Sequence, residues 1–209
     1  MIDEKVRYLN QDAADVALKN PIAEATVRKA REYRLERTRQ VLRDNDIAAV
    51  LLYDPCNIRY ATDTSNMQLW TMHNPSRYAL IFADGPALLF DYHNCAHLHD
   101  EKRLPNGQLT VDEIRPAIAW AYFAAGERAP EQAVRWGANI ASLMKQYGGG
   151  NKRLAVDICE QLGMAQLHKH GIETLSGMKY MEHARGIKSA EELQLMQWTI
   201  TVCQKGMER

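Results

Sequence analysis

The densest run of potential ligands in the chain is Asp91-x-His93-x-Cys95-x-His97-x-His99-Asp100. Alternate residues of an extended strand share a face, so His93, Cys95 and His97 could approach one zinc-type ion if the segment stayed extended. The competing reading is a polar loop leaving a strand, because donors at consecutive alternate positions rarely close a tetrahedron without a ligand from elsewhere. The loop is the reading adopted, and no residue of this chain is assigned to a metal. A second stretch, Asn66 to Arg77, is a long connection that carries Met67, Leu69, Trp70, Met72 and His73 between two strands. Loops that expose aromatics are often binding loops, although a Trp in such a place can also be a lid on the core. Tyr60 closes the sequence Asn57-Ile58-Arg59-Tyr60 and is read either as a buried tyrosine with a satisfied hydroxyl or as a ligand contact. Gly148-Gly149-Gly150 is not a phosphate loop, since no Lys-Ser/Thr pair follows it.

Alternating helices and strands must position these residues. Residues 1–22 have no clear period and read as a loosely packed arm. Ala23 to Asn45 predicts a helix with Leu35, Val41 and Leu42 toward a core and Arg34, Arg39 and Arg43 toward water, Glu36 being within reach of Arg39 or Gln40. The uninterrupted apolar run Ile47 to Tyr53, stopped by Asp54-Pro55, predicts a central strand buried on both faces. Arg77–Phe82 and Ala87–Tyr92 flank Ala83-Asp84-Gly85-Pro86 and predict a hairpin. Thr110 to Phe123 is a mixed segment broken by Pro116, read as a strand running into Trp120-Ala121-Tyr122-Phe123, with Trp120, Tyr122 and Phe123 assigned to core or a subunit interface. A helix from Pro130 to the triple glycine follows, then strand 153–157, helix 159–170 and strand 172–175. This alternation predicts an α/β layered fold, a mixed sheet flanked by helices.

The last helix opens with Ser189-x-x-Glu192, a capping box. Leu193, Met196, Ile200, Cys203 and Met207 follow at helical spacing and build one apolar face. That face either packs back on its own domain or opens a second domain.

Composition narrows the partners. The 209 residues are 46% hydrophobic and 25% charged, with 26 basic and 26 acidic side chains. A balanced charge gives no positive field for nucleic acid or an anionic membrane. No apolar run approaches the roughly 20 residues that span a bilayer, and the start M-I-D-E-K-V-R-Y-L-N lacks the pattern of a secretory signal, so the expected location is cytoplasmic. Cys56, Cys95, Cys159 and Cys203 lie far apart, which predicts free thiols rather than a zinc knuckle or a disulfide scaffold.

Several weak motifs follow one another in order: Arg34-Leu35-Glu36-Arg37, Ala49-Val50-Leu51-Leu52-Tyr53, Asn57-Ile58-Arg59-Tyr60-Ala61-Thr62 and Arg77-Tyr78-Ala79-Leu80-Ile81, then Leu154-Ala155-Val156-Asp157 and Ala184-Arg185-x-Ile187-Lys188-Ser189-x-x-Glu192. Their order and spacing resemble the amino-terminal domain of the creatinase, aminopeptidase P and prolidase family. Within that family, Tyr53-Asp54-Pro55, Asn57 to Gln68 and Trp70-Thr71-Met72-His73-Asn74-Pro75 resemble the branch that lyses dimethylsulfoniopropionate to dimethyl sulfide and acrylate. The resemblance implies a ribonuclease-H-like domain over residues 23–187, with residues 188–209 the first helix of a "pita-bread" metallodomain that lies beyond this chain. It also implies two Asp, one His and two Glu in that following domain as ligands for a divalent metal or iron. No cofactor is expected within this chain, and the chain alone is expected to be inactive. In creatinase-like enzymes the loop corresponding to 66–77 reaches the active site of the neighbouring subunit. A homodimer follows, with Trp70 lining the partner's pocket, Arg77 or His73 reading the anionic group of a small substrate, and Tyr60 as a further contact; a carboxylate would give Arg77 a bidentate role. Two other readings stay open: the same domain of an Xaa-Pro aminopeptidase or prolidase-type metallopeptidase, and a stand-alone, non-enzymatic binding module.

Overall fold

Ala49-Val50-Leu51-Leu52 forms strand β1 with all four side chains buried, as a run without polar alternation predicts. The computed structural model describes residues 21–93, 95 and 111–208, without the side chains of Gln68 and Leu69. Around β1 the chain lays down helix α1 (Glu24–Asp44), helices α2 (Pro55–Thr62) and α3 (Gln68–His73), and strands β2 (Tyr78–Phe82), β3 (Ala87–Asp91) and β4 (Glu113–Pro116). Helix α4 (Tyr122–Ala125), helix α5 (Ala129–Tyr147), strand β5 (Arg153–Val156), helix α6 (Gln161–Lys169), strand β6 (Glu173–Ser176), helix α7 (Gly177–Gly186) and helix α8 (Ala190–Met207) follow. The strands make one mixed sheet in the order β4-β3-β2-β1-β5-β6. β2 runs antiparallel to both β1 and β3, and the β1–β5, β5–β6 and β3–β4 pairs are parallel.

The pleat sends alternate residues to two separate cores. Leu51, Tyr53, Tyr78, Leu80, Phe82, Phe90 and Leu154 face Trp136, Ile140 and Leu143 of α5 and Leu167 of α6. Val50, Leu52, Ala79, Ile81, Leu89 and Ala155 face Val41 and Leu42 of α1, Ile58 and Ala61 of α2, and Tyr180, Met181 and Ala184 of α7. The register places Leu51 opposite Leu80 and Val50 opposite Ile81, so each core draws on both strands at one level. A one-residue slip would exchange the two faces.

By contact the chain divides into two units, Arg34–Gly186 and a unit formed by Met1–Tyr33 with Ile187–Arg209. The first holds the whole sheet. In the second, the Tyr33 hydroxyl donates to the Ile187 carbonyl at 3.0 Å. The Ser189/Glu192 capping box is present with both of its bonds at 3.2 Å. Leu193, Met196, Ile200 and Met207 of α8 are all exposed. Among the described residues no helix is long and apolar enough to cross a membrane.

Several expectations are met, and others are corrected. The Asp84-Gly85 hairpin joins β2 to β3. Leu35, Val41 and Leu42 pack inward, but Glu36 pairs with Arg43 rather than with Arg39 or Gln40. The strand expected to reach Trp120 ends at Pro116, which has no N–H to continue a ladder. Trp120 is buried and its indole donates to the Tyr53 hydroxyl at 3.1 Å. Tyr122 and Phe123 are not core: they stand exposed on α4. The connection 66–77 is not wholly loop, since it contains α3. Pro55 does end the strand, and it also opens α2 in its first turn.

Helices α5 and α6 touch at Gly137, where an added Cβ would lie 2.6 Å from the Cβ of Gln166. Gly137→Ala gains up to about 1 kcal/mol of helix propensity but must force the helices apart, a cost of about 1–3 kcal/mol. The net expectation is destabilisation, read as a lower urea midpoint with an unchanged slope.

Candidate functional site

Helix α2 is built by its ends. The Asp54 carboxylate accepts from the Asn57 amide at 2.9 Å, and Asp63, in the left-handed region with φ 51°, donates its N–H to the Arg59 carbonyl. This fixes Asn57 inward and Arg59 outward. The Asn57 side chain donates to Asp157 at 3.2 Å and accepts from Arg185 of α7 at 3.0 Å. Asp157, just past β5, also accepts from the backbone N–H of Tyr53 at 2.7 Å, of Asp54 at 3.1 Å and of Ile158 at 2.6 Å. Burial raises its carboxyl above the usual aspartate range, against the pull of these four donors. Close by, burial pushes the Cys159 thiol up to about 12, so this sulfur is not a nucleophile near neutrality.

Tyr60 donates its hydroxyl to the Ala184 carbonyl at 3.0 Å, and the Arg34 guanidinium lies 5.7 Å from the centre of its ring. Arg34, Arg59, Tyr60 and Arg185 share one cleft with Pro55, Cys56 and Met72.

The connection carrying Trp70 is held from beneath. Arg77 and Asp91 are each 1% exposed and pair at 3.0 Å. Arg77 also donates to the Thr64 hydroxyl at 2.6 Å, while Asp91 accepts from Asn66 at 3.0 Å and from the Tyr92 amide at 2.8 Å. Both roots of the connection are thus tied to one buried charge pair. Above it, α3 exposes Met72 and His73 and leaves Trp70 43% accessible. The Trp70 ring meets Tyr92 at 5.7 Å and Phe123 at 5.5 Å, both edge-on. The Tyr92 and Ser76 hydroxyls are 2.6 Å apart, and burial raises the Tyr92 phenol.

Of the four residues expected to contact substrate, Trp70 and His73 therefore lie exposed on α3, and Tyr60 lines a cleft with its hydroxyl engaged on the backbone. Arg77 is inside the domain, its guanidinium occupied by Asp91 and Thr64. Sequence reading had not singled out Arg34, Arg59 or Arg185 as a group. They come from α1, α2 and α7, and no local signal links them. Of the ligand-type run, His93 is exposed and Cys95 half-buried, while His97, His99 and Asp100 lie outside the described residues. Asp91 is engaged by Arg77, Asn66 and the Tyr92 amide. Among the described residues no group of three His, Cys, Asp or Glu could hold a metal, so these residues do not fit the ligand set that the resemblance implies. The four cysteines are free thiols, Cys56 and Cys203 exposed.

Comparison with known proteins identifies the domain. Residues 34–169 match the family described as the creatinase/prolidase N-terminal domain. The chain is 36% identical over 178 residues to dimethylsulfoniopropionate lyase DddP of Roseovarius nubinhibens, covering 85% of this chain and 39% of that protein. It is 34% identical over 162 residues to the lyase of the same name from Roseobacter denitrificans, covering 78% of this chain and 35% of that protein. The chain thus spans well under half the length of these curated relatives. Among solved structures, the N-terminal domain of the cytoplasmic peptidase PepQ from Mycobacterium tuberculosis H37Rv aligns with a TM-score of 0.47 at 18% identity, over 72% of this chain and 97% of that one. With its mixed six-stranded sheet between helices and a family match over most of its sheet domain, this chain belongs to the creatinase/prolidase N-terminal domain family.

Proposed function

We propose that this chain is the amino-terminal domain of a metal-dependent, dimethylsulfoniopropionate lyase-like enzyme, and that it shapes the substrate pocket and the homodimer while the metal chemistry belongs elsewhere in the complete protein. The observation that carries the reading is 36% identity sustained over 178 residues to a lyase of that name. In the complete enzyme, substrate would be cleaved to dimethyl sulfide and acrylate. Trp70, half-exposed on α3 and steadied edge-on by Tyr92 and Phe123, is the side chain offered to a neighbouring subunit. A sulfonium is a cation of the kind an indole face attracts. His73, exposed on the same helix, would meet the anionic end of such a substrate.

The test is made on the complete enzyme, by measuring dimethyl sulfide release from dimethylsulfoniopropionate alongside cleavage of an Xaa-Pro dipeptide. Dimethyl sulfide release without peptide cleavage is expected. Peptide cleavage alone would move the protein to the metallopeptidases, and neither activity would favour a non-enzymatic binding module. Trp70→Ala is expected to lower kcat/KM by about tenfold or more while the dimer persists, the loss of a partly desolvated cation–π contact. Unchanged activity in an unchanged dimer would remove Trp70 from the pocket.

A further inference from the structure

A pocket of about 590 Å³ opens between the C-terminal half of α5, the turn that leads into β5 and the turn from α6 to β6. That volume suits a small organic ligand. Its floor is apolar, made by Ala141 and by Met144 and Ile172, each 5% exposed. Its rim carries Lys145, Lys152 and His170, all exposed, and no acidic side chain lines it. None of the three makes a side-chain hydrogen bond or an ion pair among the described residues. Two acidic residues are tied to this stretch, Glu173 through its N–H to the Lys152 carbonyl and Asp46 through Asn151. Both turn their carboxylates to Arg153, at 3.7 and 3.1 Å. The Lys152 ammonium stands beside the α6–β6 turn, where a Cβ added at Gly171 would lie 3.7 Å from its Nζ.

We propose that this pocket binds an organic phosphate monoester with an apolar body. Two lysine charges that no carboxylate neutralises are matched by one dianion, and a monoester carries close to two negative charges at neutral pH. An ammonium acts as a point charge with three donors, so it takes a phosphate oxygen without the fixed geometry of a guanidinium fork. Lys145 and Lys152 hold the phosphate oxygens, His170 adds a ring-nitrogen contact, and Met144 and Ile172 carry the apolar body. All of these residues belong to the unit Arg34–Gly186, so the inference stands apart from the proposed lyase activity and is tested on the chain as it is. Because both lysines stand in water, affinity is modest, with a Kd for phenyl phosphate of about 1 mM at low salt.

The experiment is an NMR titration of the 209-residue chain with phenyl phosphate, with inorganic phosphate and with phenol. Saturable phenyl phosphate binding is expected, with amide shifts centred on Asn151, Lys152 and Ile172. It should be about tenfold tighter than either phosphate or phenol and weakened by added salt. Lys145→Gln/Lys152→Gln, two exposed changes, is expected to weaken phenyl phosphate binding by about tenfold while leaving the circular dichroism and melting of the chain unchanged. Absence of saturation, shifts centred outside the pocket, or wild-type affinity in the double variant would overturn the proposal. Inorganic phosphate binding as tightly as phenyl phosphate would overturn the part assigned to Met144 and Ile172, and phenol binding as tightly would overturn the part assigned to the lysines.

Discussion

Arg77→Met is expected to destabilise the domain by about 3–5 kcal/mol, because it removes the guanidinium that pairs with the buried Asp91 carboxylate at 3.0 Å. Methionine keeps most of the volume of the arginine stem, so little of the loss comes from a cavity. With both partners 1% exposed, water cannot substitute for the lost guanidinium. Asn66 and the Tyr92 amide, both uncharged, still donate to Asp91, and an uncharged donor offsets less than the guanidinium does. Arg77→Met/Asp91→Leu is expected to recover most of the stability, since apolar replacement of a whole buried pair is often neutral or better. The double variant nevertheless removes the bonds that tie Asn66 and Thr64 to the strands, so hydrogen exchange across residues 64–77 should speed up even where global stability returns. Urea denaturation reads the first effect and amide exchange the second. A single variant within about 1 kcal/mol of wild type would show that the pair does not hold this connection.

That expectation also bears on substrate recognition. Arg77 is a strong anion reader by type, and its place just before a strand gave no hint that it points inward. Burial beside Asp91 gives the guanidinium two fixed acceptors, and it braces the loop that carries Trp70.

What the sequence discloses depends on how local the signal is. The apolar run of β1, the Asp-Gly hairpin and the Ser189/Glu192 capping box each fit within a few residues, and each is found where it was expected. Helix α3 was not legible: it has six residues, and its N-cap Met67, at φ 42°, offers no side-chain cap bond. Pro55 was ambiguous, because one residue serves both as strand stop and as the first turn of a helix. The cleft was invisible for a different reason. Its scaffold joins Asn57 to Asp157 and to Arg185 across 100 and 128 residues of chain, and only the closure of the sheet brings them together. For Tyr122 and Phe123, read as core or subunit interface, the core alternative falls, because a four-residue helix after Pro116 exposes both.

Asp157 makes a test of that long-range scaffold possible. Asp157→Ala leaves the N–H groups of Tyr53 and Asp54 and the Asn57 amide without this acceptor in a partly buried place, while the Ile158 N–H, at the surface, can turn to water. Each unsatisfied donor costs about 1–3 kcal/mol, although relaxation and water entry recover part, so a total of about 3–5 kcal/mol is expected. Asp157→Asn keeps one acceptor oxygen and turns its own N–H2 toward donors, which places it between alanine and wild type. The pH dependence separates the carboxylate from its shape. Its folded-state pKa is raised above the ordinary aspartate value of about 4. The folded protein therefore binds this proton more tightly than the unfolded chain, and the contribution to stability is full below the ordinary value and declines as pH rises through the raised one. The stability gap between wild type and Asp157→Asn should accordingly be widest at the acid end of that window and narrower, but still present, at neutral pH. A gap that widens toward neutral pH would mean that the four donors outweigh burial and hold the carboxyl below its usual range.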